Sequence, residues 1–185
     1  MARLVQERGD VVPLVAEVFR RYGFEGASLT RLTEGTKLGK GSLYHFFPGG
    51  KEEMAEAVLA HIGDWFETEV FRPLAEEPPA RAIDAMFDKV ETYFRSGRRI
   101  CLMGAFALEE TRDRFAAMVG SYFARWLAVL ATALDRAGLA ETPALAARIV
   151  AGIQGAIVLA RALDDPACFH RVLGELRLAA RVPGA

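Results

Sequence analysis

The sequence predicts an all-α chain of about nine helices arranged in two bodies. Three observations carry this. Nearly every segment repeats its apolar residues at helical spacing, and no stretch alternates apolar and polar residues convincingly enough for a strand. Glycine, proline and small capping residues punctuate the chain at helix-length intervals. The chain has 185 residues, 52% hydrophobic and 25% charged, which suits one core or two small linked ones and excludes disorder over most of its length.

The elements follow in order. A first helix is expected over 11–22, with Asp10 as its cap, Pro13 in its first turn and Leu14, Val15, Val18, Phe19 and Tyr22 on one face. Gly23 is its natural stop. Ser28 caps a second helix presenting Leu29, Leu32 and Thr36, and a short third helix covers 40–47 before Pro48-Gly49-Gly50. A fourth runs from Lys51 to about Phe71, turns Met54, Val58, Ile62, Trp65 and Val70 inward, and ends at Pro73. Further helices are expected over 80–95, 102–108 and 113–137, the last closed by Gly138. Thr142-Pro143 and Asp165-Pro166 each read as a cap followed by a first-turn proline, opening helices to about Leu163 and Arg181. The division falls at residues 1–50 and 51–185.

Composition narrows the function classes. Lys and Arg total 23 against 24 Asp and Glu, a net charge of −1, so any contact with nucleic acid is local. Two cysteines, Cys101 and Cys168, make neither a disulfide scaffold nor a four-cysteine zinc site. The N-terminus lacks a signal-peptide pattern, and the longest uncharged apolar run, Ile149–Ala160, falls short of the ~20 residues a bilayer needs. A soluble cytoplasmic protein without membrane contact is expected. No enzyme motif is present: no phosphate-cradling glycine loop, no HExxH, no Gly-x-Ser-x-Gly on a strand. The acidic pairs Glu109-Glu110 and Asp164-Asp165 are neighbours pointing about 100° apart on a helix, a poor arrangement for acid–base work. His61 and Asp64 lack a third metal ligand, and His170 belongs on the surface of the last helix or at a dimer seam. No cofactor is implied.

The first fifty residues carry the information. Three short helices with tight turns suggest a helix-turn-helix unit, with Leu29, Leu32, Leu38, Leu43 and Phe46 as its inner set and Lys40, Gly41, Ser42, Tyr44 and His45 facing outward. Small residues at the start of the third helix allow close approach to a groove, and the polar side chains suit phosphates and base edges. From Arg20 to Lys51 there are six basic residues (Arg20, Arg21, Arg31, Lys37, Lys40, Lys51) and two acidic ones (Glu25, Glu34). The difference of +4 leaves −5 for the remainder of the chain.

The stretch from Leu32 to Phe47, with its Gly41-Ser42-Leu43-Tyr44-His45-Phe46-Phe47 core and the following Lys51-Glu52-Glu53, resembles the DNA-binding signature of TetR-type (tetracycline-repressor-like) regulators. It departs from the usual pattern at Thr33 and Thr36 (Ala), Lys37 (Gly) and Gly39 (Ser). The resemblance implies double-stranded DNA with a two-fold symmetric operator as partner. Tyr44 and Lys51 would clamp phosphates, Thr30, Lys40, Ser42 and His45 would face bases, and Ser28 and Gly41 would complete the DNA-binding set.

The resemblance also implies that the second body binds a small apolar effector and forms a homodimer. Gly152, Ala156 and Ala160, with Gly155 beside them, are a small-residue stripe expected at the dimer interface. Trp65, Phe66, Phe87, Tyr93, Phe94, Met103, Phe106, Met118, Tyr122, Trp126 and Gln154 are the candidate pocket, against the plainer reading that they are core. Two other functions stand beside a ligand-responsive repressor. One is an all-helical small-molecule binding protein that does not read DNA. The other is a thiol sensor of the same fold acting through Cys101, whose neighbours Arg98 and Arg99 would lower its pKa.

Overall fold

The computed structural model describes residues 7–109 and 113–181, and every regular element among them is helical. An N-terminal head is built from α1 (Arg8–Gly26), α2 (Leu29–Thr36) and α3 (Lys40–Phe46). A continuous helix, α4, runs as Gly50–Phe66, a π-helical turn over Glu67–Phe71, and Arg72–Glu76. The body follows with α5 (Pro79–Tyr93), α6 (Leu102–Leu108), α7 (Ala116–Arg136), α8 (Thr142–Ala162) and α9 (Pro166–Ala179). The nine expected helices are present among the described residues; α7 begins three residues after its expected start, and three further differences in how the helices begin and end have a visible cause. Glu110 of the first acidic pair lies outside the described residues.

The first difference is at α1, which starts three residues before its expected position. Glu7 is the cap, and its amide donates to the Asp10 carboxylate at 3.0 Å in a reciprocal capping box. Asp10 is thus the third helical residue, and Pro13 lies inside the helix. Gly23 breaks α1 as expected, at φ 69° and ψ 175°. The second is at Pro73, which does not end α4. The five-residue turn before it shifts the hydrogen-bond register, and a π-bulge is one of the few devices that lets a helix pass a proline. The third is at α8, which is capped by Glu141 in a left-handed conformation (φ 51°), with Thr142 as its first residue. Asp165 caps α9 as expected, accepting from the Ala167 amide at 2.9 Å.

In the head, the Ser28 hydroxyl accepts from the Arg31 amide at 3.3 Å and opens α2. Thr36 closes it. Its hydroxyl donates to the Leu32 carbonyl at 2.7 Å and accepts from the Leu38 amide at 3.3 Å, a task alanine could not perform. Lys37 then takes the left-handed turn at φ 60°, ψ 21°, and Gly39 precedes α3 without a side-chain cap. Gly35 lets α2 lie against α1, since a Cβ there would overlap Cγ2 of Val18.

The first half of α4 packs on α1, and its second half enters the body. Glu53 accepts the Gly49 amide at 2.7 Å and pairs with Arg8 at 2.8 Å, fixing the start of α4 to the start of α1. In the body α8 packs between α7 and α9. Both α7 and α8 are long and apolar enough to cross a membrane by length and composition. Their buried residues, among them Trp126, Leu130 and Leu134 on α7 and Ile149, Ile153 and Ile157 on α8, account for that apolarity as core.

Two substitutions test this description of the head by denaturant unfolding. Lys37→Gly should stabilise the protein by about 1 kcal/mol, because glycine takes φ > 0 without the Cβ penalty. Gly35→Ala should destabilise it by about 1–3 kcal/mol through overpacking against Val18. Equal midpoints for all three proteins would contradict the turn geometry.

Candidate nucleic-acid interface and the body behind it

The structure brings most of the DNA-binding candidates onto one exposed end of the head. On α3, Leu43 is fully buried against the head core, and this anchor turns Lys40, Gly41, Ser42, Tyr44 and His45 to solvent. Ser28 and Thr30 are exposed at the start of α2. The Lys40 ammonium lies 5.9 Å from the centre of the Tyr44 ring, and Tyr44, 44% exposed, stands over Gly50 at the head of α4. Nothing within 4 Å would meet a Cβ at Gly39 or Gly41. Packing within the chain thus gives no reason for glycine at these positions.

The basic residues divide into two groups that their count did not separate. Arg20 is only 8% exposed and faces the body. Its guanidinium pairs with Glu17 at 2.9 Å, donates to the Ile100 carbonyl at 3.3 Å and reaches the Tyr93 hydroxyl at 3.4 Å. Burial lowers its pKa, Arg99 adding to the effect. Arg31 donates to the Gly26 carbonyl at 2.6 Å and lies over the Tyr22 ring. Lys51 is half-tied. Its ammonium donates to the Phe24 carbonyl at 3.0 Å, sits 4.3 Å from the centre of the Phe24 ring and 3.6 Å from Glu25. Arg21, Lys37 and Lys40 are exposed.

The body rearranges the remaining expectations. Phe66 packs its ring against Tyr93 (4.9 Å), Tyr122 (5.2 Å) and Trp126 (5.3 Å), and Trp65 lies 4.4 Å from Tyr93. Phe87, Phe94, Met103 and Phe106 are buried among these helices. Most of the candidate pocket residues therefore fill one another's space and act as core, the plainer of the two readings. Met103, Met118 and Tyr122 edge a groove of about 350 Å³ beside α4. Gln154 lines a separate groove between α6, α7 and α8. The Trp126 indole nitrogen and the Tyr122 hydroxyl are buried without hydrogen-bond partners among the described residues, the Gln154 amide lies against Gly104 and bonds the Cys101 side chain, and burial raises the Tyr122 pKa well above its ordinary value.

The small-residue stripe is also placed differently. A Cβ on Gly152 would meet Leu176 of α9 at 2.8 Å, and Ala156 and Ala160 are buried within the chain. These three serve intramolecular packing. Gly155 alone of the four is on the open side, in line with exposed Ala151 and Leu159. The sequence showed small residues on two adjacent faces of α8, and only burial separates them.

Cys101 does not have the environment of a reactive thiol. It is 6% exposed, its sulfur accepts from the Gly104 amide at 3.4 Å to cap α6, and burial raises its pKa. Arg99 instead packs over the Tyr93 ring and pairs with Glu17. His170 lies on the surface of α9 and meets Glu91 of α5 at 3.2 Å.

Comparison with known proteins gives a consistent result. Residues 16–58 match the family model of bacterial regulatory proteins of the tetR family, and residues 79–175 match that of the transcriptional regulator LmrA/YxaF-like C-terminal domain. The helix-turn-helix (HTH) type regulator YxaF of Bacillus subtilis is 29% identical over 169 residues, covering 85% of this chain and 88% of that protein. A TetR regulator from Legionella pneumophila has the same fold at a TM-score of 0.76 and 19% identity, covering 96% of this chain and 98% of its own. The regulator CifR, as a cysteine mutant complexed with 26-base-pair operator DNA, aligns at a TM-score of 0.71 and 21% identity, covering 97% and 98%. With half of its length matched by the C-terminal model and the head matched independently, the chain belongs to the TetR family of DNA-binding transcriptional regulators, in its LmrA/YxaF-like branch.

Proposed function

We propose that the protein is a homodimeric repressor that is released from a two-fold symmetric operator when a small apolar effector occupies the body. The observation that carries the DNA-facing part is α3 itself. A buried Leu43 holds a seven-residue helix whose outward positions are Lys40, Gly41, Ser42, Tyr44 and His45. Glycine inside a helix costs about 0.5–1 kcal/mol relative to alanine, and Gly41 has open space in place of an internal neighbour. Its use is explained by an external surface coming close, such as the floor of a major groove. Lys40, Ser42 and His45 then meet base edges or phosphates. Tyr44 and Lys51 flank the phosphate backbone, with Ser28 and Thr30 at its other side.

Dimerisation follows from the geometry of duplex DNA, since two heads must stand about one turn (~34 Å) apart. The face that fits is the open stripe of α8, Ala151, Gly155 and Leu159, continued by exposed Leu163 and by Leu178 on α9. Two such helix pairs form a four-helix bundle. A regulator of this kind works in the cytoplasm, where the DNA is.

Two sets of variants test the proposal. In a titration of labelled duplex against salt, Lys51→Ala and Lys40→Ala should each reduce the slope of log affinity against log salt by about 1. Lys51→Ala should weaken all sequences alike, and Lys40→Ala should also flatten the preference between them; circular dichroism of each variant checks that the head still folds. Unchanged slope and affinity in both would remove the assigned docking face. In sedimentation velocity, Gly155→Glu combined with Leu159→Glu should give monomers and weaken binding to a two-fold site by more than about tenfold, because like charges facing each other across an interface are strongly unfavourable. A persistent dimer would place the interface elsewhere.

A further inference from the structure

The seam between α4 and α7 is closed at both ends by an ion pair and left open between them. At the head end Glu52 of α4 meets Arg114, two residues before α7, at 2.8 Å. At the π-turn Glu67 holds Arg125 through two hydrogen bonds of 3.0 and 3.2 Å. Between these pairs lies the groove of about 350 Å³ beside α4. Ala60 and Gly63 keep its α4 side low, and Met103, Met118 and the Tyr122 ring give it an apolar floor. Glycine weakens a helix interior, yet a Cβ on Gly63 would meet nothing within 4 Å, so packing within the chain gives no reason for it. Asp64 lines the same groove and forms no ion pair among the described residues. A second groove, of about 570 Å³, shares Ala60, Asp64 and Met118 with the first and runs on to the start of α1 at Arg8, Gly9 and Val12. Glu56 on that wall also forms no ion pair among the described residues. The arginines along the two grooves, Arg8 and Arg125, are already held by Glu53 and Glu67 at 2.8 and 3.0 Å. With His61 counted as neutral, the joined grooves carry an excess of negative charge.

Resting on the reading of an effector-responsive regulator, we infer that these joined grooves are the effector site and that the occupant is a lipophilic organic cation, its charge beside Asp64 and its apolar part over Met118 and the Tyr122 ring. Charge complementarity selects the class. An anion would face Asp64 and Glu56 with both arginines already engaged, whereas a cation meets a carboxylate and a tyrosine ring, each of which attracts it. A hydrated metal ion would leave the apolar floor unused. The place of the site gives it a route to the head. An occupant at Asp64 touches α4 and α7 and, through the second groove, the start of α1. It therefore bears on the position of the head against the body.

The test is a calorimetric titration of the purified full chain at pH 8 with tetraphenylphosphonium and with tetraphenylborate, which match in shape and carry opposite charges. The phosphonium should bind about tenfold more tightly, and Asp64→Asn should weaken it about two- to fivefold, the range of an ion pair open to solvent. Asp135→Asn, which removes an exposed carboxylate at the far end of α7, should leave it unchanged. Gly63→Leu should fill the floor and prevent binding without lowering the melting temperature, since leucine is the better helix former and its Cβ has room. Equal affinity for the two ions, equal weakening by Asp64→Asn and Asp135→Asn, phosphonium binding intact in Gly63→Leu, or no phosphonium binding at all would each overturn the inference. The phosphonium should also lower affinity for a duplex selected from a random pool by about fivefold or more, and in Gly63→Leu it should not. Binding that leaves duplex affinity unchanged would overturn the assignment as effector site. Retained DNA binding without phosphonium binding refutes the groove alone, whereas phosphonium binding by a chain that binds no duplex refutes the regulator.

Discussion

Phe24 is the point at which the head is fixed to the body. It follows the break at Gly23, is completely buried, and stacks on Phe19 (5.9 Å) while meeting Phe106 and Phe115 edge-on at 5.9 and 5.4 Å. Its amide donates to Glu109 and its carbonyl accepts from Lys51. One residue of α1 thus touches α4, α6 and the start of α7. Had the chain passed from head to body through an open linker, the position of α3 would be independent of events in the body. This junction, with Arg20 bonded to Ile100 and Tyr93, ties the head to the body.

That constraint gives regulation a physical form. An effector changes DNA affinity only if it binds one arrangement of heads better than another, and DNA must disfavour the effector by the same factor. A tenfold effect corresponds to about 1.4 kcal/mol, within the usual coupling between sites. The structure asks little of the transmitting parts. Ile100 and the head meet through the buried Arg20 guanidinium, whose desolvation makes its partners costly to lose. The same wiring explains why the basic count of the first fifty residues overstates the surface they present to DNA. Arg20 belongs to the junction, Arg31 to the corner after α1 and Lys51 partly to Phe24, which leaves Arg21, Lys37 and Lys40 as the exposed cations of the head, with Lys40 on α3 beside Ser42, Tyr44 and His45.

What the sequence made legible was local. Ser28, Asp165-Pro166 and Gly23 signal helix ends through chemistry that acts within a few residues, and Leu43 flanked by small and polar residues signals which side of α3 is buried. What it hid was non-local or a matter of one residue's rotation. Glu7 and Asp10 both suit a cap, and the chain uses them as a reciprocal pair. The π-turn that carries α4 past Pro73 leaves no mark in the pattern. Small residues on α8 occupy two faces about 100° apart, and only the position of Leu176 shows which is filled. A density of aromatic residues likewise cannot distinguish a cavity from rings that fill it, nor can adjacent arginines reveal that burial governs the Cys101 thiol. Gln154 was legible as an oddity in an apolar helix; its seat against Gly104 and the Cys101 side chain was not.

The central claim is that two copies of the cationic tip, held at fixed separation by the bodies, read duplex DNA. Selection of bound duplexes from a random-sequence pool, with sequencing of the survivors, tests it most directly. The account predicts enrichment of an inverted repeat whose half-site centres lie about one helical turn, roughly 10 base pairs, or a multiple of it apart. A pool that emerges without enrichment, or with a single asymmetric site bound by one chain, would contradict it.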